Sequence, residues 1–135
     1  MTVDSLGYSY VIGDIGSGAR FASVLFQSSG ILLAKYDPQG ELAWARTVST
    51  LGDHVAHGIA RDGVGNVYGT ASSTLSASLA PGLTTPADGG TFVFKISEAG
   101  VPLWLNPVEG NAFHPIVADP WGGILVGGAD RKSVV

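Results

Sequence analysis

The residues of this 135-residue chain with chemistry to offer are three histidines, eleven carboxylates, seven Lys or Arg and three tryptophans. Cysteine is absent, which removes thiolate catalysis and disulfides. His57 and His114 stand at matching places in His57-Gly58-Ile59-Ala60 and His114-Pro115-Ile116-Val117. A ring of such histidines around a channel could hold a metal or an anion. Zinc, however, takes about four ligands near 2 Å, and neither a His-x-x-x-His pair nor a carboxylate in phase accompanies these two. Hydrogen bonding to neighbouring backbone is the favoured role, with ligation as the alternative.

Asp4, Asp62 and Asp119 also recur at matching places. A calcium loop needs oxygens at alternate positions of one segment, whereas these three belong to separate segments, so they read as turn caps. Gly63-Val64-Gly65-Asn66-Val67-Tyr68 opens like a dinucleotide fingerprint. It lacks the third glycine and leads into a strand, so no helix N-terminus is there to receive a pyrophosphate. No G-x-S-x-G nucleophile elbow occurs. The sequence therefore predicts no catalytic residues, no cofactor and no metal site. Trp44 and Trp104, in repeat phase, read as core or inter-sheet residues, with carbohydrate stacking as the alternative. Trp121, where the other copies have Leu6 and Val64, is the candidate exposed aromatic.

The elements that position these residues follow from composition and self-similarity. Charged residues make up 13% of the chain, where about 25% is usual, and the 20 glycines are about twice the usual share. Seven basic against eleven acidic side chains give a net charge of −4. With no basic cluster, a nucleic-acid partner is not expected. The start, Met1-Thr2-Val3-Asp4, has neither a basic region nor an apolar run of signal-peptide type. The longest apolar runs fall far short of the roughly 18 residues that insertion into a bilayer as a helix requires.

Residues 31–48 lie over residues 91–108, pairing Lys35 with Lys95, Gly40 with Gly100, Trp44 with Trp104 and Val48 with Val108, each at an offset of 60. The segment from Asp62 to Tyr68 lies over Asp119 to Leu125 and over Asp4 to Tyr10, with a Gly three residues after each Asp. One repeat is thus about 58 residues, and the chain holds a little over two. Each repeat reads as four short strands. The sequence predicts strands near 8–12, 31–36, 42–47, 55–60, 67–71, 91–96, 102–106, 113–118 and 123–127, with almost no helix. Residues 72–90, rich in small residues and interrupted by Pro81 and Pro86, read as a long loop. A four-stranded antiparallel unit repeated at this period is the unit of a β-propeller.

The run Phe92-Val-Phe-Lys95-Ile-Ser-Glu-Ala-Gly100-Val-Pro-Leu-Trp104, with Gly58-Ile-Ala-Arg-Asp62-Gly-Val-Gly65-Asn66-Val-Tyr68 in cyclic order, resembles the bacterial β-propeller repeat known as SBBP. The longer loops are similar to those of cell-surface proteins of myxobacteria and their relatives. Gly69-Thr70 in place of Thr-Gly, and Ser97 in place of a turn Asp, depart from the repeat pattern. The resemblance implies an exported or cell-surface scaffold with no chemistry of its own. Ala34-Lys-Tyr-Asp37-Pro-Gln-Gly40-Glu-Leu-Ala-Trp44 is also similar to the tryptophan-docking motif of quinoprotein propellers, in which the indole packs between blades.

On this reading the chain is all-β, an incomplete β-propeller over residues 1–129. Blade 1 covers about 1–48 and lacks its inner strand, blade 2 about 53–108, and a third blade begins at about 111–129. Residues 130–135 break the pattern and read as a non-native tail. The expected partners are the remaining blades of a longer polypeptide, and surface proteins or glycans held by blade loops, without nucleic acid or membrane insertion. The expected role is a non-enzymatic structural or interaction module. The alternative is part of a quinoprotein-like enzyme or a sugar-binding propeller lectin.

Overall fold

A computed structural model describes residues 2–16, 18, 20–21, 24–25, 29–108, 116–118, 124–127 and 132–134. His114, Asp119 and Trp121 lie outside them. The described residues are all-β and contain no helix. Among the described residues fifteen strands run in order: β1 (Thr2–Val3), β2 (Ser9–Ile15), β3 (Arg20–Phe21), β4 (Val24–Leu25), β5 (Gly30–Tyr36), β6 (Leu42–Thr50), β7 (His54–Arg61), β8 (Val67–Ser73), β9 (Ala77–Ala80), β10 (Leu83–Thr84), β11 (Gly90–Ile96), β12 (Pro102–Val108), β13 (Ile116–Ala118), β14 (Ile124–Gly127) and β15 (Lys132–Val134).

The second repeat forms a four-stranded antiparallel meander, ordered β7-β8-β11-β12. The first repeat forms the same meander, β1-β2-β5-β6, within a six-stranded sheet. Its inner place, expected empty, is held by β1: Thr2 pairs with Tyr10 as Ala60 pairs with Tyr68. A third sheet, β13-β14-β15, follows, and Lys132–Val134, expected as a non-native tail, pairs there with β14.

The long loop is where sequence reasoning fell short. Residues 77–84 form the hairpin β9-β10, and β9 pairs not with its own repeat but with the outer edge of the preceding sheet, Ser49 with Ser78 and Thr50 with Ala77. Thr85 closes this hairpin: Ala77 N–H donates to Thr85 Oγ1 at 2.8 Å, and Thr85 N–H donates to the Ala77 carbonyl at 2.9 Å. The short hairpin β3-β4 occupies the corresponding stretch of the first repeat.

Strand periodicity of two puts alternate residues on opposite faces, and consecutive sheets stack through those faces. From the first sheet Tyr10, Ile31, Leu33, Trp44 and Val48 meet Val67, Ala71, Phe92, Phe94, Ile96 and Leu105 of the second in one buried cluster. The opposite face of the second sheet carries Ala60, Tyr68 and Val93, which pack with Ile116 of the third sheet. Close approach is secured at Gly69, where a Cβ would stand 2.4 Å from Phe94 Cζ and 3.0 Å from Ile12 Cδ1. Asp14 adds a polar tie between sheets, its Oδ1 accepting from Ala56 N–H at 3.0 Å beside the bulge in β7.

Candidate functional site: the turn-lined end of the stacked sheets

Four turns of one design collect at one end of the sheets. Asp4-Ser5-Leu6-Gly7, Asp37-Pro38-Gln39-Gly40, Asp62-Gly63-Val64-Gly65 and Ser97-Glu98-Ala99-Gly100 each close with the fourth residue's N–H bonded to the first residue's carbonyl. Each ends on a glycine at positive φ, between 83° and 94°, a conformation that costs other residues about 1–2 kcal/mol. The first side chain caps the turn. Asp4 Oδ1 accepts from Leu6 and Tyr8 N–H, Asp37 Oδ1 from Gln39 and Glu41 N–H, and Asp62 Oδ1 from Val64 and Asn66 N–H. Ser97 replaces the aspartate and still accepts from Val101 N–H, at 3.1 Å.

The inner turns go further. Tyr10 donates its hydroxyl to Asp4 Oδ2 at 3.0 Å, and Tyr68 donates to Asp62 Oδ2 at 2.9 Å. Asn66 Nδ2 donates to the same Asp62 oxygen. Burial pushes both carboxyls up, but the hydrogen bonds, led by Tyr8 N–H and Tyr10 at Asp4 and by Tyr68 and Asn66 at Asp62, outweigh it and hold both below the usual carboxylate value. Burial, then the Asp4 hydrogen bond, push the Tyr10 phenol up to about 12.

Across the sheet, Tyr10, Lys35 and Trp44 are cross-strand neighbours, and Tyr68, Lys95 and Trp104 repeat that row. Lys35 Nζ stands 4.5 Å from the Tyr8 ring centroid and 5.5 Å from that of Tyr10; Lys95 Nζ stands 5.3 Å from that of Tyr68. The Trp44 indole lies on Gly100 of the second sheet and donates to the Glu98 carbonyl at 3.0 Å, while Arg46 Nε donates to the Gly100 carbonyl at 2.6 Å. Trp44 is thus an inter-sheet residue. Trp104 packs against Tyr68, ring centroids 6.0 Å apart.

Between the Asp4 and Asp62 turns lies a recess of about 220 Å³, lined among others by Asp4, Leu6, Tyr10, Arg61, Val64 and Glu98. A shallower one of about 530 Å³ shares Val64 and Glu98 and adds Lys35, Asn66, Ser97 and Ala99. At the lip, Leu6 is 75% exposed and Val64 70%.

His57 sits elsewhere, half-buried on β7, with Nε2 2.9 Å from Ser72 Oγ. Among the described residues no three of His, Asp and Glu are grouped to hold a metal ion. Sequence reasoning missed Lys35, Arg61 and Glu98; the repeat of Lys35 in Lys95 was the one available signal. No family model matches the chain, and no curated protein matches it either.

Proposed function

We propose that this chain is a non-enzymatic interaction module built of β-propeller-type blades, making contact through the turns at one end of its stacked sheets. The observation that supports it most is the pairing of rigid turns with exposed apolar tips. Leu6 and Val64 sit at equivalent positions of two turns whose backbones are fixed by buried or half-buried aspartates. Apolar side chains held outward on a stiff frame, beside Arg61 and Glu98, meet a partner with little backbone ordering left to make, which favours contact. The carboxylates of Asp4, Asp37 and Asp62 all serve their own turns, so they are engaged in shape. The meander repeated in two sheets, with face-to-face stacking between them, supports the blade reading, and the SBBP-like repeat supports an exported or cell-surface setting with proteins or glycans as partners.

Two measurements test this. Binding of the chain to a panel of surface polysaccharides and outer-surface proteins should fall at least tenfold in a Leu6→Ser, Val64→Ser double variant with an unchanged melting temperature; unchanged binding would place the contact elsewhere. Concatenating residues 53–108 in increasing number should raise the melting temperature sharply at one copy number between about 4 and 8, where a ring of blades closes. A smooth rise without such a step, as an open solenoid gives, would overturn the blade reading.

A further inference from the structure

Lys35 is only 7% exposed. A lysine ammonium has three donors to satisfy, and among the described residues no carboxylate, carbonyl or hydroxyl accepts from it; its partners are the faces of two tyrosine rings. Ring faces attract the charge but leave the hydrogen bonds unmade. The side chain lines the 530 Å³ recess. There Ser97 Oγ accepts from Val101 N–H, and its own proton goes to no described acceptor. Asn66 Nδ2 commits one of its two N–H groups to Asp62. Lys35 is thus the charged donor of the recess without a hydrogen-bond acceptor among the described residues, Ser97 and the second Asn66 N–H lie beside it, and the one carboxylate of the lining is that of Glu98, exposed and lying over Gly65. Val64 and Ala99 supply small apolar walls.

We propose that this recess binds the carboxylate of a uronic-acid residue in an acidic polysaccharide, resting on the reading that this end of the sheets is a contact face. The carboxylate takes Lys35 and Ser97, the sugar hydroxyls donate to Glu98, and the C–H face of the ring lies against Val64 and Ala99. Lys35, Ser97 and Glu98 each gain a complementary partner. Glu98 also discriminates: a second negative charge on the ligand would face it at close range, so inorganic phosphate is disfavoured. A neutral sugar leaves the Lys35 donors without an ionic partner.

The test is a heteronuclear NMR titration of the intact chain with glucuronate, glucose, acetate and inorganic phosphate. Glucuronate should give saturable shifts at the amides of Lys35, Ser97 and Glu98, with glucose and phosphate at least tenfold weaker. Lys35→Met should reduce glucuronate binding at least tenfold. Glu98→Ala, at an exposed position that leaves Lys35 in place, should make glucuronate and acetate bind equally and admit phosphate. Equal binding of glucose and glucuronate, or glucuronate shifts unchanged in folded Lys35→Met, would overturn the carboxylate site while leaving the Leu6 and Val64 contact face standing. A glutamate-containing peptide binding as tightly as glucuronate would overturn the saccharide assignment. The contact-face reading itself fails only in the polysaccharide and protein panel, so the two failures are distinguishable.

Discussion

The Trp44 indole donates its Nε1 hydrogen to the carbonyl of Glu98 and lies flat against Gly100, whose φ is +87° and whose missing Cβ would stand 2.8 Å from Trp44 Cγ. One aromatic side chain of the first sheet thus reads both the backbone and the bareness of a turn in the second. Gly100→Ala should lower stability by about 2–3 kcal/mol, combining left-handed strain with displacement of the indole. Trp44→Phe should cost less, about 1–2 kcal/mol, through the lost hydrogen bond and ring area. Urea unfolding of both variants checks the order, and the reverse order would mean that the indole does not depend on that glycine.

The turn aspartates should differ in weight although they look alike in sequence. Asp62 is buried and its loss strands two backbone N–H groups, the Asn66 amide and the Tyr68 hydroxyl, so Asp62→Ala should cost about 2–4 kcal/mol. Asp37 caps an open turn with two exposed donors, and Asp37→Ala should cost about 0.5–1 kcal/mol. Denaturant midpoints for the two variants, measured side by side, decide it.

Acid should act through the same two groups. Asp4 and Asp62 have folded-state values below their unfolded ones. The stability they contribute is present above the ordinary carboxylate value and is lost as pH falls below it toward the folded values. A stability profile against pH should therefore decline on the acid side, and Asp62→Asn should flatten part of that decline; an unchanged slope would show that the carboxyl is not depressed.

Alkali should act through Tyr10. Its phenol is raised from 10 to about 12, so the folded state holds the proton more tightly than the unfolded chain. That contribution is intact below pH 10 and disappears between pH 10 and about 12. Tyrosinate absorbance should lose a late-titrating component in Tyr10→Phe.

Thr85 pins the inserted hairpin. Thr85→Val keeps the shape but deprives Ala77 N–H of its acceptor inside a buried segment, at a cost of about 1–2 kcal/mol. Hydrogen exchange at Ala77 and Ser78 should quicken well before that at Phe92 or Val93, whose amides belong to the centre of the second sheet.

Much of this architecture was legible because it is written twice. The matching of Lys35 with Lys95 and Trp44 with Trp104 locates equivalent strands without any propensity argument, and the Asp-x-x-Gly spacing marks the turns. The expected strands at 31–36, 67–71 and 91–96 lie within β5, β8 and β11. The hairpin at 77–84 was hidden for a physical reason: its strands are short, composed of Ala, Ser, Leu and one Thr, and stabilised by an edge contributed from the preceding repeat. Local pattern carries no trace of that. The site was less visible still. The chemistry of Lys35 depends on acceptors that the fold withholds, and Glu98 is held at the recess through its own carbonyl, which accepts from the Trp44 indole of the other sheet. Both are properties of juxtaposition between sheets.

The pairing of β9 with β6 also bears on how such a chain is made. During synthesis the outer edge of the first sheet stays open until β7 and β8 have emerged and the hairpin behind them has swung back across it. The covalent repeat and the sheet are therefore out of step: the first sheet is finished by a hairpin of the second repeat. Excising or shuffling a repeat at its sequence boundary would leave one open edge and one orphan hairpin, both prone to mispairing with neighbouring chains. A lineage that duplicates this segment must cut within the insertion, or carry the hairpin along with the strand it completes.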